Sequence, residues 1–174
     1  MSRIKKWFLP AAAVVLVIAA MFVVFFTPEN ETSSAGRETD SPVSNGEAEL
    51  RGTDRLVIHA GSLSSETVSF IRIGEDSRIE LVSRLGDDGT VKAALGTCQS
   101  CNGSPGAYYT QEGGLLKCNN CGLTFPISVL DSPGGGCHPI MMDEDIMQYE
   151  GNDLVIDIKK LERYEQLFLN VEAH

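Results

Sequence analysis

Two short boxes, Cys98-Gln-Ser-Cys101 and Cys118-Asn-Asn-Cys121, constrain this chain more than anything else in it. Two thiols three positions apart can face one ion only if the backbone makes a tight knuckle. The residue after the second Cys then tends toward left-handed backbone, which glycine adopts freely and asparagine tolerates. Here those residues are Gly122 and Asn102. Sixteen residues separate the boxes, and four sulfurs so arranged suit tetrahedral zinc, a single iron, or a [2Fe–2S] cluster. Two other readings remain. Disulfides persist outside the cytoplasm, although five cysteines leave one over. A redox dithiol normally opens a helix, whereas Asn102-Gly-Ser-Pro-Gly106 after the first box cannot open one.

The chain around the boxes falls into three compositions. Arg3, Lys5 and Lys6 precede an uncharged run from Trp7 to Phe26, whose twenty residues would rise about 30 Å as a helix, the thickness of a hydrocarbon core. Pro10 sits in its first turn, where a missing N–H matters least. Residues 1–26 therefore read as a cytoplasmic stub and transmembrane anchor, with the rest of the chain on the far side of the membrane. A cleaved signal peptide has a shorter apolar region ending in small residues, and this run ends Met-Phe-Val-Val-Phe-Phe. Residues 27–50 hold one Arg, six acids and almost no large apolar side chain, which predicts a flexible acidic spacer. Residues 51–174 read as the folded, metal-binding domain. A net charge of −10 argues against a partner held through phosphates, so no nucleic acid is expected.

Within that domain short β-rich runs dominate: 56–58, 68–73, 79–82, 91–95, 115–117 and 154–156. They are separated by turn sequences such as Gly86-Asp-Asp-Gly89, Gly113-Gly114 and Gly151-Asn-Asp153. The rhythm predicts a mainly β fold, an antiparallel sandwich or small barrel. Only the end looks helical, with Ile158, Leu161 and Phe168 along one face.

The run from Cys98 to Pro139, with Tyr109-x-Gln-Glu-Gly113 between the boxes, then CNNCGLTFPI and GGGCHPI, resembles the FtrD-like family of membrane iron–sulfur proteins. The resemblance covers about Leu56 to Ile158 and includes the lead-in VKAALGTC. It implies that Cys98, Cys101, Cys118 and Cys121 hold the cofactor, with Cys137 at a further family cysteine position; Cys137 and His138, as a soft Cys–His pair, are weaker candidates for the metal. His138 stands where the family usually has Asn. Many relatives carry a polytopic membrane part; with one span, this chain is not itself a permease. A more distant likeness joins Cys118-x-x-Cys121-Gly-Leu-Thr-Phe125 and Gly134-Gly-Gly-Cys137-His-Pro139 to the cluster loops of Rieske domains, with Tyr149 and Leu154-Val155-Ile156 as closing strands. Here both Rieske histidines are cysteines. Two imidazoles raise a cluster to roughly −150 to +300 mV, whereas four thiolates leave a plant-type cluster near about −400 mV.

The spacing predicts a four-thiolate metal centre, with a [2Fe–2S] cluster as the leading occupant, in a metal-binding protein or electron carrier more than an enzyme; the resemblance alone implies that the protein works in extracytoplasmic iron acquisition. Its expected partners are the lipid bilayer and an iron permease or membrane electron donor. The alternative is a structural zinc module for interaction or metal delivery, without redox activity. Among other residues, His59 in a strand reads as structural, and Met141, Met142 and Met147 read as packing rather than copper ligands. Asp143-Glu144-Asp145 reads as a solvated turn. Cys137, on its glycine-rich loop, reads as a thiol beside the centre that tunes it, with ligation and packing as alternatives.

Overall fold

The computed structural model describes residues 47–74, 77–132 and 134–172. The expected anchor over residues 1–26, and the spacer as far as residue 46, lie outside the described residues. Among the described residues, no helix is long and apolar enough to cross a membrane.

Eleven strands among the described residues form three antiparallel sheets. The outer sheet joins β1 (Ala48–Arg51), β2 (Arg55–Ile58), β11 (Asp153–Asp157) and β10 (Met147–Glu150), in that order. The middle sheet runs β3 (Ser69–Arg72), β4 (Glu80–Leu85), β5 (Val91–Cys98) and β9 (Pro139–Ile140). A three-stranded sheet follows from β6 (Tyr109–Glu112), β7 (Leu115–Cys118) and β8 (Thr124–Pro126). The mainly β, antiparallel architecture matches the sequence expectation, as three layers of strands rather than two.

The middle sheet explains the third layer. Successive strand side chains point to opposite faces, so a strand covered on both sides is usually apolar almost throughout; β5 follows that pattern, while β4 also buries Glu80, Ser83 and Arg84. On β4 and β5, Leu81, Val91, Ala93 and Leu95 join a core with Leu56, Ile58, Leu154 and Ile156 of the outer sheet. Val82, Ala94 and Cys98 enter a second core with Tyr109 and Leu116 of the small sheet and with Ile127 and Leu130. The last buried residue of β5 is thus a cysteine, and the second core contains the site.

The predicted turns lie between the predicted strands. Gly89, Gly113 and Gly151 all adopt positive φ, at +77°, +61° and +67°. β1 takes in Ala48 to Leu50, which composition assigns to the spacer. Its register with β2 places Ala48 opposite Ile58 and Leu50 opposite Leu56, so both contribute to the first core. The C-terminal helix is short: α1 (Ile158–Leu161) is capped by Asp157, whose side chain accepts from the Lys160 N–H, and continues as a 3₁₀ segment to Phe168. Leu161 and Phe168 close the first core as their spacing predicts.

Candidate metal centre

Both boxes begin where a strand ends. Cys98 is the last residue of β5 and Cys118 the last of β7, and both are 0% exposed. Cys101 and Cys121 lie on the turns that follow. In the second turn the Gly122 N–H donates to the Cys118 carbonyl at 2.8 Å, and Gly122 takes φ +73°, the predicted left-handed position. In the first turn that position falls one residue later than predicted. Gly103, at φ +87°, takes it, and no non-glycine residue among those described has positive φ. Asn102 does something else: its Nδ2 donates to the Leu167 carbonyl at 3.1 Å, tying the first turn to the C-terminal segment. The Glu172 N–H reinforces that tie by donating to the Pro105 carbonyl.

Hydrogen bonds bring the turns together. The Cys98 N–H donates to the Ala107 carbonyl at 3.0 Å, as does the Thr97 hydroxyl at 2.9 Å, which folds the first loop back on β5. The Asn119 N–H donates to the Tyr108 carbonyl at 3.0 Å, placing the second turn against that loop. Gly106 permits the approach: a Cβ there would lie 3.2 Å from Asn120 Cα and 3.3 Å from its backbone N.

All five thiols converge as a result. The sulfurs of Cys101, Cys118 and Cys121 lie within 4.8 Å of one another, and so do those of Cys98, Cys101 and Cys137. None of the five is in a disulfide. His138 joins neither group. Its ring packs edge-on against Phe125 at 4.6 Å, over Gly134, where any side chain would overlap it. His59 also stays apart, with Nδ1 2.9 Å from Asp153 on the outer sheet. Met142 and Met147 pack against the first core and Met141 against the second. Arg163 pairs with Asp143 at 3.2 Å and Asp145 at 2.9 Å, so two of the three acids of that turn are engaged by a neighbouring cation.

The electrostatics are those of several potential anions in one place. Burial pushes the Cys118 thiol up to about 12, against the N–H groups of Cys121 and Asn120 that would favour its thiolate. Cys137 is also pushed up to about 12, first by its hydrogen bond with Cys121 and then by burial. Cys121, exposed to solvent, falls to about 7, chiefly because the Leu123 N–H donates to its sulfur. Burial pushes Cys98 up, but the Cys101 N–H, the Tyr109 hydroxyl and the neighbouring thiols outweigh it, and the net shift is downward. Cys101 gains a favourable bond from the Asn120 side chain, yet burial and its thiol neighbours raise it overall. Clustered like charges cannot all ionise alone, and a cation among them removes that penalty. Soft sulfur donors with N–H groups already aimed at them fit a metal or iron–sulfur cofactor, and these cysteines could hold one.

Tyr109 contributes a function that its sequence position does not reveal. It is 0% exposed, faces Cys118 across the β6–β7 ladder, and donates its hydroxyl to the Cys137 carbonyl at 2.5 Å. The only sequence signal is its place in the motif between the boxes.

The model of the family described as membrane iron–sulfur containing protein, FtrD-like, matches residues 63–168. No curated protein and no solved structure matches the chain.

Proposed function

The chain belongs to the FtrD-like family of membrane iron–sulfur proteins, and from that premise we propose that it is a one-electron carrier in extracytoplasmic iron acquisition. The observation that carries the proposal is the convergence of Cys98, Cys101, Cys118 and Cys121 from two separate hairpins onto one locus. When bound there, an iron–sulfur centre supplies reversible one-electron chemistry, at low potential because every ligand is a thiolate. Cys98 and Cys118, fixed at strand ends, hold their sulfurs away from water. Cys121, exposed on its turn, gives the edge through which a partner exchanges electrons. The N–H groups of Cys101, Asn120, Cys121 and Leu123 offset negative charge on the sulfurs without moving. In this reading residues 1–26 anchor the domain outside the cytoplasm, iron is the substrate, and the partner is an iron permease or a membrane electron donor.

A structural zinc module is the second reading, and one observation favours it. Cys101 of the first box lies within 4.8 Å of both sulfurs of the second, a spacing that a single tetrahedral ion spans. Metal analysis, visible absorption and EPR of the reduced full-length protein separate the two. An iron–sulfur carrier is brown, holds iron and acid-labile sulfide, and gives an EPR signal on reduction. A colourless protein with stoichiometric zinc overturns the electron-transfer proposal.

A further inference from the structure

Four thiolates complete an iron–sulfur or zinc centre, yet five thiols converge here. The fifth, Cys137, is held in place. Its carbonyl accepts from the Tyr109 hydroxyl and lies 3.4 Å from Cys98 Sγ, and the next residue's carbonyl accepts from the Gln99 N–H at 3.0 Å. Pro139 pairs with Cys98 in the middle sheet, which fixes the loop's exit. The Cys137 sulfur therefore belongs to the site's architecture and does not hang from a free loop.

The five sulfurs divide in a particular way. Cys98, Cys101 and Cys137 form one group of three, Cys101, Cys118 and Cys121 form another, and Cys101 belongs to both. Three thiolates around one ion are the coordination of a soft monovalent cation such as Cu(I), whereas zinc and iron take four. With metal–sulfur bonds of about 2.3 Å, sulfurs at the corners of a flat three-coordinate site stand about 4.0 Å apart, inside the spacing seen here. Five sulfurs serve two three-coordinate ions only if one of them bridges, and Cys101 is the one common to both groups. The partly open side at Cys121 and Cys137 gives such ions an entrance.

We propose that the cluster is a second kind of metal site: a thiolate-bridged pair of Cu(I) ions, one on Cys98, Cys101 and Cys137, the other on Cys101, Cys118 and Cys121. Each thiol that binds releases its proton to the buffer, and no electron is transferred. The pair and the four-thiolate centre use the same sulfurs, so they exclude each other. Cys137 serves only the Cu(I) form.

The test uses the full chain, stripped of metal under argon and offered Cu(I) in competition with a coloured Cu(I) chelator. The wild type is expected to bind two Cu(I) per chain and to show the emission of a solvent-shielded thiolate-bridged pair. Cys137→Ser is expected to bind one, and to keep the wild-type iron content when loaded with iron and sulfide instead. A wild type that saturates at one Cu(I), or a Cys137→Ser protein that binds two, overturns the proposal. Loss of iron from Cys137→Ser also overturns it, by making Cys137 a ligand of the iron centre. X-ray absorption of the wild-type Cu(I) form tests the same site without any variant. Three sulfurs and one copper neighbour per copper are expected, and two-sulfur coordination or no copper neighbour sinks the idea. Failure on any Cu(I) measurement leaves the iron content and EPR signal of the wild type where they were, so the electron-transfer reading is judged separately.

Discussion

Tyr109→Phe isolates a single hydroxyl. The ring stays, so the 0% exposed position keeps its packing and no large cavity opens. What is lost is one proton, which bonds the Cys137 carbonyl and is shared toward the neighbouring Cys98 sulfur. Leaving a buried acceptor without its partner costs about 1–3 kcal/mol. Cys98 Sγ lies 3.4 Å from the same carbonyl and offers weak compensation, which places the expected cost near the lower end, about 1–2 kcal/mol. Unfolding entropy of about 2.1 cal/mol/K per residue, over roughly 125 folded residues, converts this to a melting point lower by about 4–8 °C. The second consequence concerns the loaded centre. A donor to a thiolate favours the more negative, reduced state, so removing it lowers the reduction potential. A difference of about 1 kcal/mol between the two redox states corresponds to roughly 40 mV for one electron. Thermal melting with a spectroscopic redox titration measures both. An unchanged potential with a lowered melting point would show that the hydroxyl serves the loop and not the sulfur. An unchanged melting point would refute the hydrogen bond itself.

Replacing Cys98, Cys101, Cys118 or Cys121 singly by Ala is expected to remove most bound metal and to lower the melting point, because metal that binds only the folded state stabilises it; four variants with full metal and native melting would reject the ligand set. Gly106→Val should lose metal while keeping its β-sheet circular dichroism, since its Cβ would press on the Asn120 backbone and separate the two turns; undiminished metal content would contradict that close approach. Asp153 is held below its ordinary value of 3.8, first by the Ala60 N–H and then by His59, so its contribution to stability is present above that value and is lost as pH falls through its folded-state pKa. The urea midpoint of Asp153→Asn should thus lie below wild type at pH 6 and close on it as pH falls below 3.8; a constant gap across that range would rule this linkage out.

Much of the fold is legible in the sequence because it is local. Gly86–Gly89, Gly113-Gly114 and Gly151-Asn152 mark hairpins between neighbouring runs, and turn chemistry and apolar patterning are both written within a dozen residues. The strands without a sequence signature, β1, β6, β8 and β9, are two to four residues long and lack a clear apolar pattern. β9 is only Pro139–Ile140 and exists because β5 offers it an edge. The third layer is also hidden. β4, Glu80–Leu85, is buried almost throughout yet carries Glu80, Ser83 and Arg84, so it does not read as the continuous apolar run by which a doubly covered strand is usually recognised. At the site, the cysteine boxes announce their own chemistry by spacing, and Gly122 its own conformation. Asn102 departs from expectation because Gly103 beside it takes the left-handed position at lower cost, freeing the asparagine to bond Leu167. The roles of Tyr109 and Cys137 depend on a contact spanning 28 residues, and no local pattern encodes it.

The way the site is attached to the fold determines how far metal and fold are coupled. The first core, from Leu56 and Ile58 through Leu81 and Leu95 to Leu154 and Phe168, contains no cysteine, so outer and middle sheets bury their shared face without any help from the centre. The second core includes Cys98, Cys101 and Cys118 among its buried members, and its other large residues are few: Tyr109, Leu116, Ile127 and Leu130. A bound ion therefore contributes most where apolar burial is least, at the small sheet and its turns. In a small zinc finger the metal organises the whole domain. Here it would consolidate one layer laid on two sheets that share a cysteine-free core, with Cys98 as the anchor between them. This division suits the proposed electron carrier: Cys98, at the end of β5 in the middle sheet, would keep its buried sulfur in place between redox states, while Cys121, on its exposed turn, would absorb the small adjustments that a change of charge demands.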